Sequence, residues 1–143
     1  MNTSCKPIYI LFLLLFVNSQ LFSQTKELRT NYALVIHGGA GNITPENLPA
    51  DIAPEYEKVL NQVLKVGDSI LLNGGTSIDA VETCVRMMED SPLFNAGKGA
   101  VFNAEGKNEL DAAIMDGNTG LAGAVAGVTS IRNPISAARA VME

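Results

Sequence analysis

Apolar and polar positions change period several times along the chain, and each change marks an element. Residues 32–37 (YALVIH) form a short apolar run that predicts a buried strand. The run leads straight into Gly38-Gly39-Ala40-Gly41, a tight turn at a strand end. Residues 42–53 read as a loop carrying Pro45 and Pro49. From Pro54 onward, Val59, Val63, Val66 and Ile70, with Leu60, Leu64 and Leu71, make an apolar stripe at helical spacing. Asn73-Gly74-Gly75 ends that helix. Thr76 with Asp79 resembles a capping box, and Ile78, Val81, Cys84, Val85 and Met88 give the apolar face of a second helix. Ser91-Pro92 stops it.

Residues 91–117 (SPLFNAGKGAVFNAEGKNELDAAIMDG) follow a different pattern. Two close glycines, Gly97 and Gly99, allow a tight backbone turn and a close approach to another group. Ala100-Val101-Phe102, a polar turn at 103–107 and a partly alternating run at 109–116 predict a β-hairpin behind this loop. Residues 120–128 (GLAGAVAGV) predict a strand of small side chains, against which another layer packs closely. Asn133 is placed to cap a last helix with Pro134 at its first position. The chain stops inside that helix, an ending that reads as truncation. Strand, helix, helix, hairpin, strand and helix suit layers of sheet and helix. Neither an internal repeat nor a low-complexity linker is present.

The start of the chain changes the picture. Residues 8–17 (IYILFLLLFV) are unbroken and apolar, preceded by Lys6 and followed by a polar stretch with Ser23. The run is too short to span a bilayer and suits the apolar part of a signal peptide. Residues 1–23 are therefore expected to be removed, leaving residues 24–143 in the periplasm or outside the cell with no membrane anchor. The full chain of 143 residues carries a net charge of −5. The basic residues are scattered, so no footprint for nucleic acid is present. Of the two cysteines, Cys5 leaves with the signal, so Cys84 has no partner for a disulfide and reads as a small core residue. His37 is the single histidine, and no metal-binding cluster surrounds it in sequence. The glycines at 38–41 lack the spacing and the Gly-Lys-Ser/Thr ending of nucleotide-binding loops.

The motifs HGGAG, GGTSIDAVETCVRMMEDSPLFNAGKGAVF, ELDAAIMDGNT, AGAVAGV and RNPISAARAVME are spread over the stretch from about residue 32 to residue 143. They resemble the Thr-type (plant-type) L-asparaginase and isoaspartyl peptidase family of N-terminal-nucleophile hydrolases. The resemblance implies an α/β fold, the αββα four-layer sandwich, of which this chain is the first-subunit half. It implies an amidohydrolase that cuts its own backbone to free a threonine. That threonine attacks β-aspartyl amides, its own α-amine serving as base. The substrates implied are asparagine and isoaspartyl dipeptides. The partners implied are a second subunit from the same precursor and a homodimer of such units. The nucleophile lies in a Thr-Val-Gly context, and no such tripeptide occurs in this chain. The chain by itself is accordingly expected to be inactive. Glycosylasparaginase shares the fold and chemistry, and a non-catalytic remnant or binding domain is the reading from another class.

Two groups of residues carry over. Asn95 matches the asparagine that lies beside the nucleophile and orients it. Taken from the residues alone, it is a turn-forming asparagine bonded to its own backbone. The HGGAG run, with His37, Gly38 and Gly39, resembles the family's glycine-rich loop near the nucleophile. A lone histidine at a strand end otherwise reads as a hydrogen-bonded core residue. No organic cofactor is implied. A structural sodium or potassium ion is, held by the backbone carbonyls of Met88, Glu89, Ser91, Phe94, Ala96 and Lys98. Carbonyl oxygens are hard ligands and suit such a cation.

Overall fold

The computed structural model describes residues 31–39, 41, 44 and 46–143. The expected signal peptide at 1–23 lies outside the described residues. From residue 32 on, the chain forms α1 (Ala53–Leu72), α2 (Ser77–Glu89), a 3-10 turn (Gly97–Gly99), β1 (Leu110–Met115), β2 (Ala122–Val128) and α3 (Pro134–Met142). Both long helices fall where the apolar stripes place them. Pro54 opens α1, where its missing N–H costs nothing. Thr76 caps α2, its Oγ1 accepting the Asp79 N–H at 3.1 Å.

α1 and α2 pack together through Val63, Gly67, Ala80 and Cys84, all buried. Gly67 makes the approach possible. A Cβ there would stand 2.6 Å from the Cys84 Sγ and 2.7 Å from Leu34 Cδ2. Cys84 is buried and its thiol is pushed up by desolvation, as suits a core residue and not a nucleophile.

β1 and β2 form an antiparallel hairpin, with Ile114 opposite Gly123 and Ala112 opposite Val125. The register slips between Leu110 and Ala112. Gly127 sits there at φ +63°, and its N–H bonds the Asp111 carboxylate at 2.8 Å, a bulge closed by a side chain. α3 lies across the inner face of this hairpin. Ile114, Ile135 and Ala138 are buried there, with Ile78, Val85, Ala112, Val125 and Met142 around them. Gly123 lets the helix backbone touch the sheet, since a Cβ there would stand 2.5 Å from the Met142 N. The small-residue strand thus serves the close packing its composition predicts. The hairpin's outer face, including Ala113, Met115, Ala122 and Ala124, is exposed.

Three elements differ from expectation. Residues 32–37 alternate between half-buried and exposed, as a strand does, yet pair with no strand among the described residues. Tyr32 fixes them instead, its hydroxyl donating to Asp68 Oδ1 at 2.6 Å. The hairpin expected from 100–102 to 109–116 is not formed. Asn108 Nδ2 donates to the carbonyls of Ala100 at 2.8 Å and Val101 at 3.1 Å, and Asn95 Oδ1 takes the Val101 N–H at 2.9 Å. Side-chain amides occupy the groups a ladder needs. The hairpin turn is instead 116–121, where Asp116 Oδ1 accepts the Asn118 N–H and Oδ2 accepts the Thr119 hydroxyl. Finally, Asn133 occupies the cap position of α3, but its side chain makes no cap bond.

An ion-pair network ties α2 to α3. Arg139 Nη1 reaches Asp79 and Glu82, each at 2.8 Å, and its Nε reaches Glu143 at 2.7 Å. Hydrogen bonds from Thr76 and then Arg139 hold the Asp79 carboxyl below the usual range. The Ser136 hydroxyl and then Arg139 do the same for Glu82. Lowered folded-state values mean that this stabilisation is complete above the ordinary 3.8 and 4.5 of these groups. It is lost as pH falls through the lower, folded-state values. Arg139→Gln is therefore expected to lower the melting temperature most near neutral pH. The gap to the unmodified protein should close as pH falls below about 4. Melting curves from pH 3 to 7 check this, and a constant gap across that range would refute the network's role.

Candidate active site

Helix α2 ends at Glu89, and the chain turns back on it in a short loop. The Asp90 N–H bonds Arg86 O at 2.9 Å and the Ser91 N–H bonds Met88 O at 3.1 Å, closing the helix. Ser91 Oγ then accepts the Leu93 N–H at 3.3 Å. The 3-10 turn brings Gly97, at φ +48°, against the Glu89 carbonyl. A Cβ on Gly97 would stand 2.8 Å from the Glu89 Cβ, and one on Gly99 would meet the Phe94 and Pro92 carbonyls. Glycine is required at both positions because backbone packs directly on backbone.

The predicted loop residues meet the glycine run over one cleft of about 580 Å³. His37, Gly38, Gly39 and Gly41 line one wall, and Met88, Glu89, Phe94, Asn95 and Ala96 line the other. Gly38 stands close to the Phe94 ring, 3.3 Å from where its Cβ would be. Gly39 has φ +116°, and its N–H donates to His37 Nδ1 at 3.2 Å. His37 is exposed and bonded to its own turn, so it is not the core residue that its place in the sequence predicts.

Asn95 is exposed, at the edge of the cleft. Its Oδ1 accepts the Val101 N–H, closing the loop across six residues. Its amide N–H₂ group makes no hydrogen bond among the described residues. One end of the side chain is fixed, and the other keeps two donors for whatever enters the cleft.

Of the six carbonyls in the expected ion loop, those of Glu89, Ser91 and Lys98 accept no hydrogen bond among the described residues. Those of Met88, Phe94 and Ala96 each accept one, from Ser91, Ala96 and Gly99. A carbonyl oxygen carries two lone pairs, so all six retain capacity for a hard cation. No group of three or more His, Cys, Asp or Glu side chains is gathered for a metal among the described residues.

Sequence reasoning missed two contributors. Tyr56, on α1, lines the cleft. Its hydroxyl donates to the Leu93 carbonyl at 2.5 Å and its ring meets Phe94 edge-on, with centroids 5.6 Å apart. It stands seven residues before Val63, one turn above Val59 and Leu60, so it extends the apolar stripe of α1, where an aromatic ring reads as core. The second is the side chain of Glu89, which is only 2% exposed. Burial pushes its carboxyl up, against the pull of bonds from Asn133 and Ile135. An acid in the last turn of a helix, followed by another acid, sits where the helix dipole disfavours it. That misplacement is the available signal.

Comparison with known proteins agrees with the motifs. A family model described as asparaginase matches residues 30–143. The chain is 54% identical over 110 residues to a putative isoaspartyl peptidase/L-asparaginase of Dictyostelium discoideum, covering 77% of this chain and 32% of that protein. It is 47% identical over 110 residues to the isoaspartyl peptidase of Escherichia coli (strain K12), covering 77% and 34%. It is 49% identical over 112 residues to a plant-type L-asparaginase of Pyrococcus furiosus, covering 78% and 35%. The chain spans about a third of the length of the curated relatives it matches.

The loop's seating on α2 can be measured with two glycines. Gly106, at φ +74°, has nothing within 4 Å of its Cβ position, so Gly106→Ala should cost only the left-handed strain, about 1–2 kcal/mol. Gly97→Ala adds a clash with the helix end and should cost about 1–3 kcal/mol more. Chemical denaturation of both variants checks this. Equal losses would show that the loop does not rest on Glu89.

Proposed function

The chain belongs to the asparaginase family, and on that footing we propose that it forms the first-subunit part of an amidohydrolase cleaving β-aspartyl amides. The substrates proposed are L-asparagine and isoaspartyl dipeptides, with aspartate as a product. The observation that carries this reading is the meeting of residues 37–39 with Asn95 over a single cleft. These are the two segments that the motifs assign to the neighbourhood of a nucleophile. The nucleophile itself, a threonine freed by self-cleavage, is proposed to come from a second subunit of the same precursor. Its α-amine, titrating near about 8, is suited to act as base around neutral pH. The layer of α3 on the β1–β2 hairpin fits one outer half of an αββα sandwich, completed by that subunit. A homodimer of such units outside the cytoplasm completes the proposal.

In this arrangement Asn95 orients the attacking hydroxyl. Its anchored Oδ1 supports the role, because a donor held from behind does not need to be ordered at the moment of reaction. The free carbonyls at Glu89, Ser91 and Lys98 support a structural sodium or potassium ion beneath the loop. Such an ion binds only the folded loop and therefore stabilises it. The melting temperature of the full-length protein should rise in the preferred alkali cation relative to a large organic cation. Equal melting in both would remove the ion from the proposal.

The decisive experiment is on Asn95. In the full-length protein, Asn95→Ala frees the Val101 N–H and should cost about 0.5–1.5 kcal/mol of stability. Self-cleavage, aspartate release from an isoaspartyl dipeptide, or both should slow by about 10²-fold per folded molecule. Wild-type rates from a destabilised variant would leave Asn95 with its loop-closing role alone. Absence of aspartate release from the unmodified protein would refute the assigned activity.

A further inference from the structure

The Glu89 side chain is buried between the cleft loop and the start of α3. Its Oε1 accepts the N–H of Ile135 at 3.1 Å, and its Oε2 accepts an N–H of the Asn133 amide at 3.1 Å. The Ile135 N–H is one of the donors that α3 cannot satisfy within itself. Asn133, the residue placed to cap it, turns its amide to Glu89 and Asp90 instead. A carboxylate from another helix therefore caps α3, where negative charge is favoured.

The capped turn faces the loop across a small cavity. Pro134, fully buried, lines a second cavity of about 250 Å³ together with Asn95, Ala96 and Gly97. One side of the loop thus faces the cleft, and the other faces the first residue of α3. Glu89 holds both neighbours at once. Its Cβ and carbonyl seat Gly97, and its carboxylate fixes the turn that carries Pro134.

We propose that Glu89 is a positioning residue: through the first turn of α3 it sets the placement of Asn95, without touching substrate. The proposal rests on the reading of the cleft as a β-aspartyl amidohydrolase site. Without the carboxylate, the Ile135 N–H is buried and unsatisfied, the α3 turn shifts to find a partner, and the back wall of the loop moves with it. Displacement of a positioning group costs turnover more than affinity.

The test uses the full-length protein carrying Glu89→Ala, Glu89→Gln or Asn133→Ala, with an isoaspartyl dipeptide as substrate. The readouts are melting temperature, kcat and KM. Glu89→Ala should lower kcat about tenfold with KM within about twofold of wild type. Glu89→Gln keeps an oxygen for the Ile135 N–H and should recover kcat to within about threefold. Asn133→Ala frees only one carboxylate oxygen and should lower kcat by about two- to threefold. It decides the matter if Glu89→Ala does not fold. Wild-type kcat in Glu89→Ala, or in Asn133→Ala where that variant decides, overturns the proposal and leaves Glu89 a purely structural cap. A Glu89→Gln as slow as Glu89→Ala also overturns it, as does a raised KM with unchanged kcat. An unmodified protein that releases no aspartate overturns the reading of the cleft instead.

Discussion

A buried carboxylate at the end of one helix caps the start of another, and the rest of this structure is arranged about that contact. Glu89 has almost no exposure, and both of its oxygens are hydrogen-bonded. Removing such a group leaves the full desolvation cost of its partners uncompensated, which is why one buried acid can outweigh several exposed ion pairs. The surface pair between Arg132 and Asp90, at 2.9 Å, lies beside it but is largely in solvent. The network about Arg139 joins the same two helices further along, so α2 and α3 are pinned at two places.

Close approach is the second theme. Three contacts between elements depend on the absence of a side chain: Gly67 between α1 and α2, Gly123 between the hairpin and α3, and Gly97 between the loop and the end of α2. In each the neighbour is backbone or a core side chain that cannot move aside. The cleft inherits this rigidity. Its loop wall is backbone seated on backbone, with Tyr56 and Phe94 wedged beneath it.

Much of this is legible in the sequence. Helix periodicity locates α1 and α2, and the runs at 38–41 and 95–99 are recognisable as glycine-rich loops from composition alone. Pairing is harder to read. The run Ala100-Val101-Phe102 looks like a strand because apolar composition says nothing about hydrogen bonding. The amides of Asn95 and Asn108 decide otherwise, from 6 to 8 positions away. The Asp116-Gly117 pair is a turn signal between two strands. The longer polar stretch at 103–107 outweighs it on composition. The motif resemblance singles out Glu89 for its carbonyl alone, because a side-chain contact reaching from 89 to 135 leaves no periodic trace. The place of Asn133 at a helix start is visible locally, whereas the competing attraction of Glu89 and Asp90 is not.

The two-stranded sheet has a further consequence, which concerns handling and not catalysis. Among the described residues, β1 and β2 each pair on one side only, so both present an open row of N–H and C=O groups. The face away from α3 adds Met115, 62% exposed, on a ground of alanines, with Leu121 close by in the turn. An uncovered edge beside an apolar, uncharged surface is the geometry on which chains nucleate intermolecular β-structure. The strands carry only one acidic side chain, Asp111, and it is spent closing the bulge. A layer packed on this face would therefore also protect it against self-association. A preparation that exposes it should be handled dilute, cold and at low ionic strength, where the chain's net negative charge keeps copies apart.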